Sequence, residues 1–101
     1  MDSPLYRYKF ADRVGLADVE DSLLLAALAV EGICGESRVR MDFRYAMDRG
    51  IRTIVVNAST PVGQMVNSVF AAFVLREFGR DAFDVRRVEE PPRRSCQEGG
   101  Q

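Results

Sequence analysis

The side chains best able to do chemistry in this chain are five carboxylates, Asp18, Glu20, Asp21, Glu31 and Glu36, and one thiol, Cys34, all within one short stretch. Paired carboxylates can move protons, and a thiolate can act as a nucleophile. Neither reading finds its partners. The chain has no histidine, so the group best matched to proton transfer near neutral pH is missing, and no Ser-His-Asp or Cys-His arrangement can form within it. Asp18, Glu20 and Asp21 fall in the first turn of an expected helix, where carboxylates answer the positive end of the dipole. Cys34 falls at the end of that helix, where the dipole opposes a thiolate, and an unpaired cysteine is most often a packed side chain. A zinc site would need Cys34, the distant Cys96 and carboxylates together. No phosphate-cradling glycine loop occurs. The expectation is a protein that is not an enzyme, with no catalytic residues, no metal and no cofactor.

Binding is the remaining kind of function, and three surfaces are candidates. Ser59-Thr60-Pro61-Val62-Gly63 reads as a helix start whose free backbone amides could hold an anion, although threonine followed by proline is also an ordinary cap. Arg7, Lys9, Arg40 and Arg44 alternate with aromatic and apolar residues, so they are expected together on the open face of a sheet. A basic sheet can track phosphates. Nucleic acid is nevertheless disfavoured, because the aromatics that would stack bases cannot share that face, and the RNA-recognition motif of such sheets is absent. The third surface is the far side of the first helix. Its core stripe centres on Val19, Leu23, Ala26 and Val30, which sends Leu24, Leu25 and Leu28 to the sides or back, with no charge between Ser22 and Val30. Such a surplus is covered either by a neighbouring helix of the same subunit or by a partner chain.

These residues need elements to hold them, and two periods mark those elements out. Tyr6, Tyr8 and Phe10 alternate with Arg7 and Lys9; Val39, Met41, Phe43 and Tyr45 alternate with Arg38, Arg40, Asp42 and Arg44. Both are strand patterns with one apolar face. Ile51 to Ala58 is nearly unbroken in apolarity, as a central strand requires, and Asp48-Arg49-Gly50 before it reads as a hairpin turn with Gly50 free to take a positive φ. Phe83 to Val88 predicts an edge strand or a bulge. Helical spacing runs from Ala17 to Cys34, including Ile33 in its stripe, and from Thr60 to Gly79, where Val62, Met65, Val66, Val69, Phe70 and Phe73 face inward. The order is strand, helix, strand, strand, helix, strand. It predicts an α+β fold: a ferredoxin-like βαββαβ two-layer sandwich, a four-stranded antiparallel sheet with two helices on one face.

At 101 residues, 47% hydrophobic and 29% charged, the chain is expected to form one domain over residues 1–90, with a disordered tail at 91–101 where no apolar period survives. A net charge of −1 gives no general pull toward polyanions. The apolar run Leu23 to Val30 is far short of the ~18 residues of a membrane span, and Met1 to Pro4 lacks the features of a signal peptide. Two cysteines do not make a disulfide framework, so a cytoplasmic setting is expected.

Asp12-Arg13-Val14-Gly15-Leu16-Ala17-Asp18-Val19 resembles the loop and helix start of ACT domains, ferredoxin-like regulatory modules that often bind amino acids as dimers. The likeness covers this one segment and lacks the proline usual before the glycine. It implies a ligand-sensing alternative, with Asp12, Gly15, Thr60 and Gly63 as contacts. The leading expectation is a protein–protein interaction or oligomerisation domain, a homodimer or the docking site of another protein, acting through Leu24, Leu25 and Leu28. Removing residues 91–101 is expected to leave the thermal midpoint unchanged. A fall of more than about 5 °C, roughly one kcal/mol for a domain of this size, would show that the tail docks.

Overall fold

The computed structural model describes residues 5–88. Strand β1, Leu5–Phe10, leads through a short loop to helix α1, Leu16–Cys34, and a second, seven-residue helix α2, Glu36–Asp42. Strands β2, Arg44–Asp48, and β3, Thr53–Asn57, form a hairpin; helix α3, Pro61–Phe78, and edge strand β4, Phe83–Val88, complete the described residues. The sheet runs β2-β3-β1-β4 and every pairing is antiparallel. The fold is therefore α+β, with a four-stranded antiparallel sheet and three helices. The third strand is central, as expected, and the fourth lies at an edge in unbroken register with β1.

The core lies between the sheet and the helices. Tyr8 and Phe10 of β1 and Ile54 and Val56 of β3 point into it and meet Val19, Leu23, Ala26 and Val30 of α1 and Val62, Val66, Phe70 and Val74 of α3. Tyr8 is 1% exposed. Its ring meets Phe70 edge-on with centroids 4.8 Å apart, a favoured aromatic geometry, and its hydroxyl donates to Asn67 Oδ1 at 2.6 Å. Each long helix ends at a glycine with φ +95°, Gly35 after α1 and Gly79 after α3, a backbone region that suits glycine. α3 starts at the expected cap: Thr60 Oγ1 accepts from the Gly63 amide at 2.9 Å, and Pro61 follows. Gly63 has a packing reason too, since a Cβ there would lie 2.4 Å from the Asn57 carbonyl oxygen.

Three expectations are corrected. The strand expected to begin at Val39 begins at Arg44, and Val39 to Asp42 belong to α2. Arg40 is therefore not on the sheet; it pairs with Glu36 at 2.7 Å, and Arg38 pairs with Asp42 at 3.4 Å. Both pairs are four residues apart and support a helix. Only Val39 of that helix is buried, while Met41, assigned inward by the strand reading, is 70% exposed. A period of two over so few residues also fits a helical turn with Val39 and Phe43 on one side. Second, the positive φ of the hairpin falls on Arg52 (φ 55°) rather than Gly50. Asp48 Oδ1 accepts from the Gly50 and Ile51 amides and shapes the turn instead. The Arg52 guanidinium reaches across to the carbonyls of Phe10, Ala11 and Val14 and ties the hairpin to the β1–α1 loop. Third, Ile33 leaves the α1 core stripe and is 75% exposed, standing on the wall of an open groove between α1 and the start of α3.

Burial, with a smaller effect from Tyr6, raises the Tyr8 phenol well above its ordinary range. The folded state thus holds this proton more tightly than the unfolded chain does. The stability it contributes is complete below the ordinary tyrosine value of 10.0 and is lost as pH climbs above it. Tyr8→Phe is expected to lose about 1 kcal/mol at neutral pH with the Asn67 bond, and to lose less further stability than wild type between neutral and strongly alkaline pH. Urea denaturation across that range checks both.

Candidate functional site

Among the described residues, the structure brings the sequence candidates to three places. The open face of the sheet carries what remains of the basic set. Arg7 stands opposite Val55 on one side and Arg86 on the other; Lys9 stands opposite Thr53 and Asp84. Ala46 and Arg44 continue the same face on β2. Arg86 was not among the expected residues, although its alternation with Val85 could have placed it. The gain is offset by two carboxylates. Asp84 pairs with Arg86 at 3.2 Å, and Asp48 lies on the row of Lys9 and Thr53. The shallow depression between Arg7, Lys9, Asp84 and Arg86, about 230 Å³, is thus a mixed-charge surface.

The proposed ligand contacts do not come together. Asp12 and Gly15 follow the end of β1, and Thr60 and Gly63 follow the end of β3. Because β1 and β3 run antiparallel, these two loops sit at opposite ends of the sheet. The Gly63 amide is taken by Thr60 Oγ1, and that hydroxyl donates in turn to the Asp42 carbonyl at 2.8 Å. Asp12 faces Arg52 at 3.7 Å, and Gly15 starts α1 with φ −77°, with no side-chain cap. Thr60 and Gly63 act as a cap and a packing point.

The carboxylates of α1 are spread rather than paired. Glu20 accepts from Arg49 at 3.1 Å and from the Tyr45 hydroxyl at 3.3 Å. Burial first, then the charge and hydrogen bond of Glu20, raise the Tyr45 phenol. Cys34 ends α1 half-buried against the core. Among the described residues, no three His, Cys, Asp or Glu side chains gather to hold a metal, and no helix is long and apolar enough to cross a membrane.

The helix layer is the third place. α1 and α3 run side by side, joined at one end by the Ser22 hydroxyl donating to Glu77 at 3.2 Å. Even so, Leu24, Leu25 and Leu28 remain 50%, 57% and 59% exposed. At the other end of the pair is an open groove of about 480 Å³, walled by Ile33, Pro61, Gln64, Met65, Ser68 and Val69. Leu25, Ala29 and Ile33 are spaced four apart, so one row of α1 leads from the leucines into that groove. The sequence showed the leucines but not the groove, since two helices have to meet before a groove exists.

No protein-family model matches the chain, and the searches of curated proteins and of solved structures return no match either. Thr60→Ala is expected to lower stability by about 1–2 kcal/mol through the lost cap. Added phosphate should leave the midpoint of wild type and variant unmoved; a rise for wild type alone in calorimetry would restore the anion site.

Proposed function

We propose that this chain is a non-enzymatic protein–protein interaction or oligomerisation domain whose contact surface is the outer side of α1. One observation carries the reading: Leu24, Leu25 and Leu28 stay at least half exposed although α3 already lies alongside α1. Packing within the subunit was the competing use for these leucines, and it leaves them uncovered. Three large aliphatic side chains on one exposed helical surface lose several kcal/mol of unfavourable hydration when a partner covers them, by about 25 cal/mol for each Å² removed from water.

The scaffold is read as a ferredoxin-like sandwich with one added short helix, α2. Its support is the strand order β4-β1-β3-β2, all antiparallel, with α1 and α3 over one face. The reading keeps the cytoplasmic setting expected from the cysteine usage. The ligand-sensing and nucleic-acid alternatives have less behind them, one with its contacts at opposite ends of the sheet and the other with Asp48 and Asp84 among its arginines.

Replacing Leu25 and Leu28 together by glutamate is expected to give a folded protein with the wild-type thermal midpoint. It should also lose whatever association wild type shows in sedimentation, because charges cost little on a free surface and much in a desolvated contact. A double variant that unfolds by circular dichroism would place the leucines inside the subunit and overturn the reading.

A further inference from the structure

We infer that the partner of the α1 surface is an amphipathic helix with a basic rim, carried by a different protein. The inference rests on the proposed use of α1 and adds the chemistry of what covers it. Every charged residue of α1 is acidic: Asp18, Glu20, Asp21 and Glu31, with neither lysine nor arginine in nineteen residues. Asp21 lies one turn before Leu24 and Leu25, and Glu31 lies one turn after Leu28, so carboxylates bracket the leucines at both ends. The neighbouring cations do not cancel them. Arg38 and Arg40 of α2 are engaged by Asp42 and Glu36, and Arg49 is engaged by Glu20; among the described residues no ion pair joins Arg76, in the last turn of α3, to a carboxylate of α1.

This distribution decides between occupants. A second copy placed by a two-fold axis meets the same surface. If the helices pair antiparallel about Leu25 and Leu28, Asp21 of each faces the end that carries Glu31. If they pair parallel, Asp21 faces Asp21 and Glu31 faces Glu31. Both arrangements set carboxylate against carboxylate as water is removed, and like charges at a contact oppose association. An anionic lipid surface is disfavoured for the same reason, since helices that lie on such membranes carry lysine and arginine. A helix with leucine-type anchors and basic flanks satisfies both parts of the surface. Its apolar side covers the leucines and enters the groove of Ile33, Met65 and Val69, while its cations meet Asp21 and Glu31. Thioether side chains such as Met65 adapt readily to the shape of an anchor.

The test uses the full chain and two synthetic helical peptides with identical leucines at i, i+3, i+4 and i+7, one rimmed with lysine and the other with glutamate. Fluorescence anisotropy at low salt should show saturable binding of the lysine peptide and at least about tenfold weaker binding of its glutamate twin, as two or three exposed ion pairs together supply. The gap should narrow in high salt as screening shortens the reach of the charges. Asp21→Lys with Glu31→Lys, the first exposed and the second half-buried, should reverse the preference, and Leu28→Glu should weaken both peptides. Equal binding of the two peptides, or binding to phosphatidylserine vesicles with none to the lysine peptide, overturns the inference. If neither peptide binds while the Leu25 and Leu28 glutamate variant disperses an associated wild type, the occupant is a second copy: the basic partner is wrong and the use of α1 stands. If neither peptide binds and wild type is monomeric, both fail.

Discussion

The contact between Tyr8 and Phe70 joins the two layers of this protein, and most other placements follow from it. β1 has a hydrogen-bonded neighbour on each side, so its side chains have only the two faces of the sheet to occupy. With the Tyr8 ring against Phe70 and its hydroxyl on Asn67, the even positions of β1 are committed to α3. Arg7 and Lys9 then have to face the other way. The pairing register carries that choice across the sheet, turning Ile54 and Val56 inward and Val55, Ala46 and Arg86 to the open face. A one-residue slip would invert all of it.

Between the layers, α1 has more apolar surface than the core can take. One side of a helix this long suffices to cover the sheet, and Val19, Leu23, Ala26 and Val30 supply it. The leucines beyond that stripe add nothing to the interior, and they raise the risk of unwanted association. In the proposed reading, the acidic residues around them would keep identical surfaces apart while leaving the apolar strip open to a cationic partner. On the proposed reading, charge would set selectivity on this surface, and the leucines and the groove would set affinity.

Two surfaces that the residue types suggested for binding are used for structure. Thr60 and Gly63 close the start of α3 and bring it against Asn57 and Asp42. Arg52 holds the β1–α1 loop that carries Asp12 and Gly15, so the loop resembling a ligand-binding turn is tied down by backbone carbonyls taking a guanidinium. The Arg52 contacts are invisible in a pattern of hydrophobicity, because they join residues about forty positions apart.

The local patterns that proved dependable each rest on a physical effect acting within a few residues. Alternation placed β1 and the outward arginine and lysine; helical spacing, Thr60-Pro61 and the terminal glycines placed α1 and α3; the leucine surplus on α1 was visible as a wheel too apolar for its core. The expected tail at 91–101 lies outside the described residues. Tertiary structure alone decided the rest. Val39 to Asp42 alternates like a strand, yet it is the second half of the helix Glu36–Asp42, which starts straight after Gly35 and carries the pairs Arg38–Asp42 and Arg40–Glu36, so the chain enters the sheet only at Arg44. Strand direction set Asp12 and Thr60 at opposite ends, and the meeting of α1 with α3 made the groove beside Ile33. Spacing along a chain encodes which faces are apolar, but which faces meet depends on how distant segments pack, and that is a property of the whole fold.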